Sequence, residues 1–195
     1  MDEARELLRL LLRNNPLYTT PQPILNRYMP PATCGKITVD LISDRNGEVK
    51  YEGWLNAWLM RSLAQGKSKS LLGNYQEFIN LVPTTFNRVM DVFLTHVETV
   101  DSIDVVYKYT CIELKKDRAT EQDLTQILRY EDWLARKLAD GDHEMIQSIL
   151  IAKRFADDVI DYVKTRRRVE EKTVRLITYR ITDERQDIEL EEVAI

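Results

Sequence analysis

Cysteine is nearly absent from this 195-residue chain. Cys34 and Cys111 stand far apart and no Cys-x-x-Cys occurs, which argues against a structural zinc centre or a disulfide framework and favours an intracellular, cytoplasmic setting. Histidine is as sparse: His96 and His143 are isolated, and no Ser-His-Asp or Cys-His arrangement can be assembled around them. Positive charge is not in excess, because the net charge is −4, so any surface for a polyanion must be a local patch. No apolar run reaches the roughly 20 residues of a membrane span, and no membrane partner is expected. The start Met1-Asp2-Glu3 lacks the basic region of a signal peptide. Among the few glycines, Gly66-Lys67-Ser68 imitates the end of a phosphate-binding loop. The position five before Gly66 is Arg61, not glycine, and this excludes the motif.

What is present is a chain 44% hydrophobic and 31% charged, enough for one domain with a real core. Residues 1–50 read as an N-terminal helix, a proline-rich connection and a hairpin; 51–182 as the core; 183–195 as an acidic tail left outside regular structure. The helix is amphipathic, with Leu7, Leu8, Leu11 and Leu12 on one side, and suits docking or dimer contact better than a membrane surface. Five of six prolines fall between Pro16 and Pro31, so that segment is an extended connection. The spacing predicts a helix from Glu52 to Gln65, ended by Gly66, and a strand over Phe78–Val82. Phe86, Val89, Met90, Phe93, Leu94 and Val97 fit helical spacing and predict a second helix. From Asp101 onward the order is strand, strand, helix, strand, helix, strand. Thr120 before Glu121-Gln122-Asp123 opens the first of these helices as an N-cap followed by acids.

Ile103-Asp104-Val105-Val106 and Cys111-Ile112-Glu113-Leu114-Lys115-Lys116 read as two short apolar strands, the first carrying an acid and the second Glu-x-Lys. A hairpin centred between Lys108 and Tyr109 sets Asp104 opposite Glu113. Lys-Tyr is a poor two-residue turn, so a loop over Tyr107–Thr110 in the same register is expected. Opposed side chains lie roughly 4.5–5.5 Å apart at Cβ, which suits two carboxylates sharing one cation. Alternation then places Glu113 with Lys115 and sends Ile112 and Leu114 to the other face. Such a set can hold Mg²⁺ on Asp104, Glu113 and the Leu114 carbonyl, with Lys115 beside an attacking water. Gln126 and Tyr130 lie at i and i+4 on the following helix, where they could fix a water or a phosphate. Lys116, Arg118, Arg129, Lys153, Arg154, Arg166, Arg167 and Arg168 supply positive charge in the same half of the chain and are candidate nucleic-acid contacts. The Lys164–Arg168 run reads equally well as a solvated helix end.

These motifs, with Arg118-Ala119-Thr120 and Gln126-Ile127-Leu128-Arg129-Tyr130, resemble the PD-(D/E)xK nuclease superfamily, and most its RecB-like and NucS/EndoMS-type branch. The resemblance spans about Asp101 to Ile181. It implies an α/β fold with a restriction-endonuclease-like core, a central mixed sheet flanked by helices. It also implies DNA cleavage with Mg²⁺ or Mn²⁺ and a homodimer. By resemblance Asp104 and Glu113 bind metal, Lys115 is catalytic, and Gln126 and Tyr130 match the motif that follows the core. An acid on the first core helix also belongs to the pattern; Glu52 is the candidate, ahead of Glu77. The Asp-to-Glu spacing is short for the mismatch-specific branch and its glycine turn is missing, so mismatch specificity is not implied. Holliday-junction resolvases use the same core, which leaves branched or otherwise structured DNA open as substrate. Small nucleases of this kind are typical of archaea and their viruses. The competing expectation is a nuclease-like fold that has lost catalysis and serves as a nucleic-acid-binding or assembly module.

Overall fold

A computed structural model of the chain describes residues 49–182 and 187–195. The expected N-terminal helix, the proline-rich connection and nearly all of the first hairpin lie outside the described residues. The remainder is an α/β fold. A six-stranded mixed sheet runs in the order β1 (Tyr75–Pro83), β2 (Val89–Val100), β3 (Ile103–Ala119), β4 (Ile146–Phe155), β5 (Val174–Ile181) and β6 (Ile188–Glu192). The β3–β4 and β4–β5 pairs are parallel and the others antiparallel. Parallel neighbours need crossovers, and helices α3 (Glu121–Leu138) and α4 (Asp157–Glu170) supply them. Helices α1 (Glu52–Ala64) and α2 (Lys69–Leu72) precede the sheet.

Two apolar layers sandwich the strands. On one side Ile127, Leu134, Val159 and Val163 of α3 and α4 pack on Cys111, Leu150 and Leu176. On the other, Leu55, Leu59 and Leu63, one helical turn apart along α1, pack on Ile112, Leu114, Ile149 and Ile177. Alternation along β3 therefore sends Cys111 and Glu113 toward α3 and Ile112 and Leu114 toward α1.

Three expectations are corrected here. Residues Val89–Val100 form a strand, not a helix: covered by α3 on one face and α1 on the other, β2 buries residues of both parities and loses the strand alternation. The two expected strands around Asp104 and Glu113 are one strand of 17 residues, and the turn sits earlier, at Asp101-Ser102. Both turn residues take positive φ (51° and 67°), the backbone of a tight two-residue hairpin. The tail is not wholly irregular. Ile188-Glu189-Leu190-Glu191-Glu192 pairs with β5 as an edge strand, with Ile188 buried and Arg175–Glu192 and Arg180–Glu189 ion pairs at 2.5 and 2.6 Å.

Candidate active site

The β2–β3 ladder pairs Val92 with Ile112, and its paired residues go no further toward the start of β2. There the Asp91 carboxylate takes over from the main chain: its Oδ2 accepts the Leu114 N–H at 2.7 Å. The same register brings Asp91 alongside Glu113. Sequence reasoning missed Asp91, because the stretch around it was read as a helix.

Asp104 does not meet Glu113. It lies nine positions earlier on the same strand, pairs with Thr99, and accepts the Thr99 hydroxyl at 2.7 Å on an exposed hairpin. At a strand rise of roughly 3.3 Å per residue, about 30 Å separates the two acids. Tyr107–Thr110 is strand and not loop.

The structure does bring together Glu113, Lys115, Gln126, Tyr130 and Glu52. Glu113 Oε1 accepts the Lys115 ammonium at 2.8 Å and the Gln126 amide at 2.8 Å. Gln126 also donates to the Tyr130 hydroxyl at 2.7 Å, and that hydroxyl donates to the Val89 carbonyl at 2.9 Å. The i, i+4 pair on α3 thus props the Glu113 side chain and satisfies a carbonyl at the start of β2. Glu52, at the first position of α1, accepts the Lys116 N–H at 3.2 Å and lies 3.8 Å from Lys115 Nζ. Asp123 is also 3.8 Å from that ammonium, while its other oxygen accepts the Thr120 N–H and hydroxyl. Past Lys115 the β3–β4 register slips by one residue before Arg118, a bulge of the sort that re-aims side chains beside active sites.

Burial dominates the electrostatics. It pushes the Glu113 carboxyl up to about 7, helped by Asp91 and opposed by Lys115. Burial also raises Asp91, against the Leu114 N–H and Lys115. Lys115 moves upward, because Glu113, Glu52 and Asp123 outweigh the desolvation that would lower it. Tyr130 is raised by burial and by Glu113, so its hydroxyl keeps its proton. Glu113 Oε2 is buried and has no hydrogen-bond partner among the described residues.

The expected cations disperse. Lys116, Arg118, Lys153 and Arg154 cluster where β3 and β4 end, with Arg118 paired in register to Arg154. Arg129 is exposed on α3. Arg166 is no surface contact: only 9% exposed, it donates to both oxygens of buried Glu131 at 2.7 and 3.2 Å. Ser148 and Lys172 also reach Glu131, at 2.6 and 3.0 Å. Burial alone would raise Glu131, but these donors together hold it down at about 2. Arg167 donates to the Ile195 carbonyl, and Arg168 is exposed on the same helix. The Leu114 peptide is engaged through its N–H.

No family model matches the chain, and no curated protein matches it. Among solved structures it is similar to a repair endonuclease from Pyrococcus abyssi, with 18% identity over 54% of this chain and 41% of that one and a TM-score of 0.41. It is also similar to an EndoMS protein in complex with double-stranded DNA, with 17% identity over 54% of this chain and 39% of that one and a TM-score of 0.40. The chain therefore spans about two-fifths of the length of each.

Proposed function

We propose that this chain is a metal-dependent DNA endonuclease that hydrolyses phosphodiester bonds in branched or otherwise structured DNA. The observation that carries the reading is the approach of Asp91 and Glu113 from neighbouring strands, with Glu113 Oε2 buried and unpartnered among the described residues and Lys115 at its side. A buried carboxylate oxygen without a donor is costly until a proton or a cation satisfies it.

Carboxylate oxygens are the hard donors that Mg²⁺ and Mn²⁺ prefer. Among the described residues no three acidic, imidazole or thiol groups form a ready cage. Mg²⁺ keeps several waters and uses one or two carboxylates, so Asp91 and Glu113 fit it as a pair. The acid expected from β3 at Asp104 is thereby replaced by one from β2. When bound, the cation would acidify a water and offset charge on the phosphoryl oxygens.

The chain's own groups divide the remaining work. Gln126, fixed by Tyr130, holds the Glu113 carboxylate in one orientation. Lys115, kept protonated by its acidic neighbours, presents N–H donors to the attacking water or to a phosphoryl oxygen. Glu52 and Asp123 steer that ammonium. Lys116, Arg118 and Arg154 offer charge to the DNA backbone.

The test is cleavage of forked, four-way and linear DNA with Mn²⁺. Asp91→Asn, Glu113→Gln and Lys115→Ala should each lose about 100-fold or more, and Asp104→Asn should cut as wild type does. Absence of cutting by the wild type, or equal cutting by Glu113→Gln, removes the reading.

A further inference from the structure

Lys115 faces three carboxylates that hold it unequally. Its ammonium donates to Glu113 Oε1 at 2.8 Å, while Glu52 Oε1 and Asp123 Oδ1 each lie 3.8 Å away. The two more distant acids share one construction. Each ties one oxygen to the main chain: Glu52 Oε2 accepts the Lys116 N–H at 3.2 Å, and Asp123 Oδ2 accepts the Thr120 N–H at 2.8 Å and the Thr120 hydroxyl at 2.9 Å. Each leaves its other oxygen on the Lys115 side. A capping box needs only one acceptor at this position, so the second oxygen of Asp123 is surplus to the cap. Both acids stand on regular elements, Glu52 at the start of α1 and Asp123 in the first turn of α3, three residues before Gln126.

The present place of Lys115 conflicts with the task of Glu113. Oε1 already accepts both Lys115 and the Gln126 amide, and Oε2 is buried and unpartnered among the described residues. A divalent cation on that carboxylate would share it with an ammonium, and like charges this close repel strongly where water is scarce. Gln126 is neutral and can stay. Lys115 carries its charge on a flexible four-carbon stem. Closing the 3.8 Å gaps by about 1 Å brings it into hydrogen-bond range of Asp123 or Glu52.

Resting on the metal-site reading of Glu113, we propose that Lys115 has two stations: Glu113 in the metal-free protein, and Asp123 with Glu52 once Glu113 takes a divalent cation. Asp123 and Glu52 are then positioning residues and not metal ligands. They receive the displaced ammonium and keep it beside the reacting phosphate. While it sits on Glu113, the same ammonium competes with the cation and holds metal affinity below what the acids alone would give.

Mn²⁺ binding at pH 8 without DNA, read from the EPR signal of the free ion, tests this apart from hydrolysis. Lys115→Met should bind about ten-fold more tightly than wild type. The pair Glu52→Gln/Asp123→Asn, which keeps an oxygen for each main-chain N–H, should bind about ten-fold more weakly. All three changes together should match Lys115→Met within about three-fold, because with no ammonium to receive the two acids have no part left. Equal losses from the acid pair with and without Lys115 would make those acids ligands and overturn the proposal. Wild-type affinity in Lys115→Met, or no Mn²⁺ bound by either protein, overturns it too. The nuclease reading is decided separately. A wild type that binds Mn²⁺ in the expected order and cuts no DNA loses that reading and keeps the two stations, and one that cuts while all variants bind alike does the reverse.

Discussion

Replacing Glu113 by glutamine should change how stability depends on pH in metal-free protein. The carboxyl titrates near 4.5 in an unfolded chain and at about 7 in the folded one, raised first by burial and then by Asp91. A raised carboxyl means the folded state binds its proton more tightly. Its favourable contribution is therefore complete below about 4.5 and is lost as pH rises through about 7. At about 1.4 kcal/mol per pH unit, that interval corresponds to about 3 kcal/mol. Another group works the other way in an overlapping window. Burial lowers His96 from 6.5 to about 4, so its contribution is present above 6.5 and fades as pH falls toward 4. The wild-type curve alone would blend the two. The difference between wild type and Glu113→Gln, from urea midpoints in EDTA between pH 4 and 8, isolates Glu113, because His96 is common to both. The variant should gain relative to wild type by about 3 kcal/mol across that range. Parallel curves would refute the idea that Glu113 is held in a site hostile to its charge.

Other outcomes follow from the same geometry. Mn²⁺ should raise the melting temperature of the wild type at pH 8 and leave Glu113→Gln unmoved in a thermal-shift assay, since a cation that binds only the folded protein stabilises it by mass action. Arg166→Met should cost about 3–5 kcal/mol in urea unfolding, because it strips buried Glu131 of its principal donor. The same variant should lose the acid limb of stability, which in wild type persists above 4.5 and fades as pH falls toward Glu131's folded value of about 2. Tyr130→Phe should cost about 1–3 kcal/mol by leaving the Val89 carbonyl without its donor. Removing residues 187–195 should lower stability by about 2 kcal/mol or more, as Ile188 leaves the core and Trp58 loses its 2.6 Å bond to Asp187.

Much of the site was legible because two periodicities survive in the raw sequence. Alternation along β3 sets Glu113 and Lys115 on one face, and the i, i+4 step sets Gln126 under Tyr130. Asp91 was illegible for a physical reason. A central strand covered on both faces loses its polar alternation, and Phe86, Val89, Met90, Phe93, Leu94 and Val97 then fall on helical spacing by coincidence. The turn was misplaced because Asp101-Ser102 carries no glycine, although both residues adopt positive φ. One signal could have corrected the turn: Lys108-Tyr109 is a poor turn. A turn at Asp101-Ser102 lengthens β3, and only with the one-residue register shift between His96 and Val97 does Asp91 come alongside Glu113. The β6 strand hid behind its acids. Ile188 and Leu190 alternate with glutamates, the pattern of an edge strand with one wet face.

The carboxylate of Asp91 closes a backbone seam as well as facing Glu113. Asparagine there keeps an oxygen for the Leu114 N–H, whereas alanine removes the acceptor and lets the two strands part. An alanine scan would therefore report a torn zipper at this position and be misread as lost chemistry, and only the isosteric change can separate architecture from reactivity.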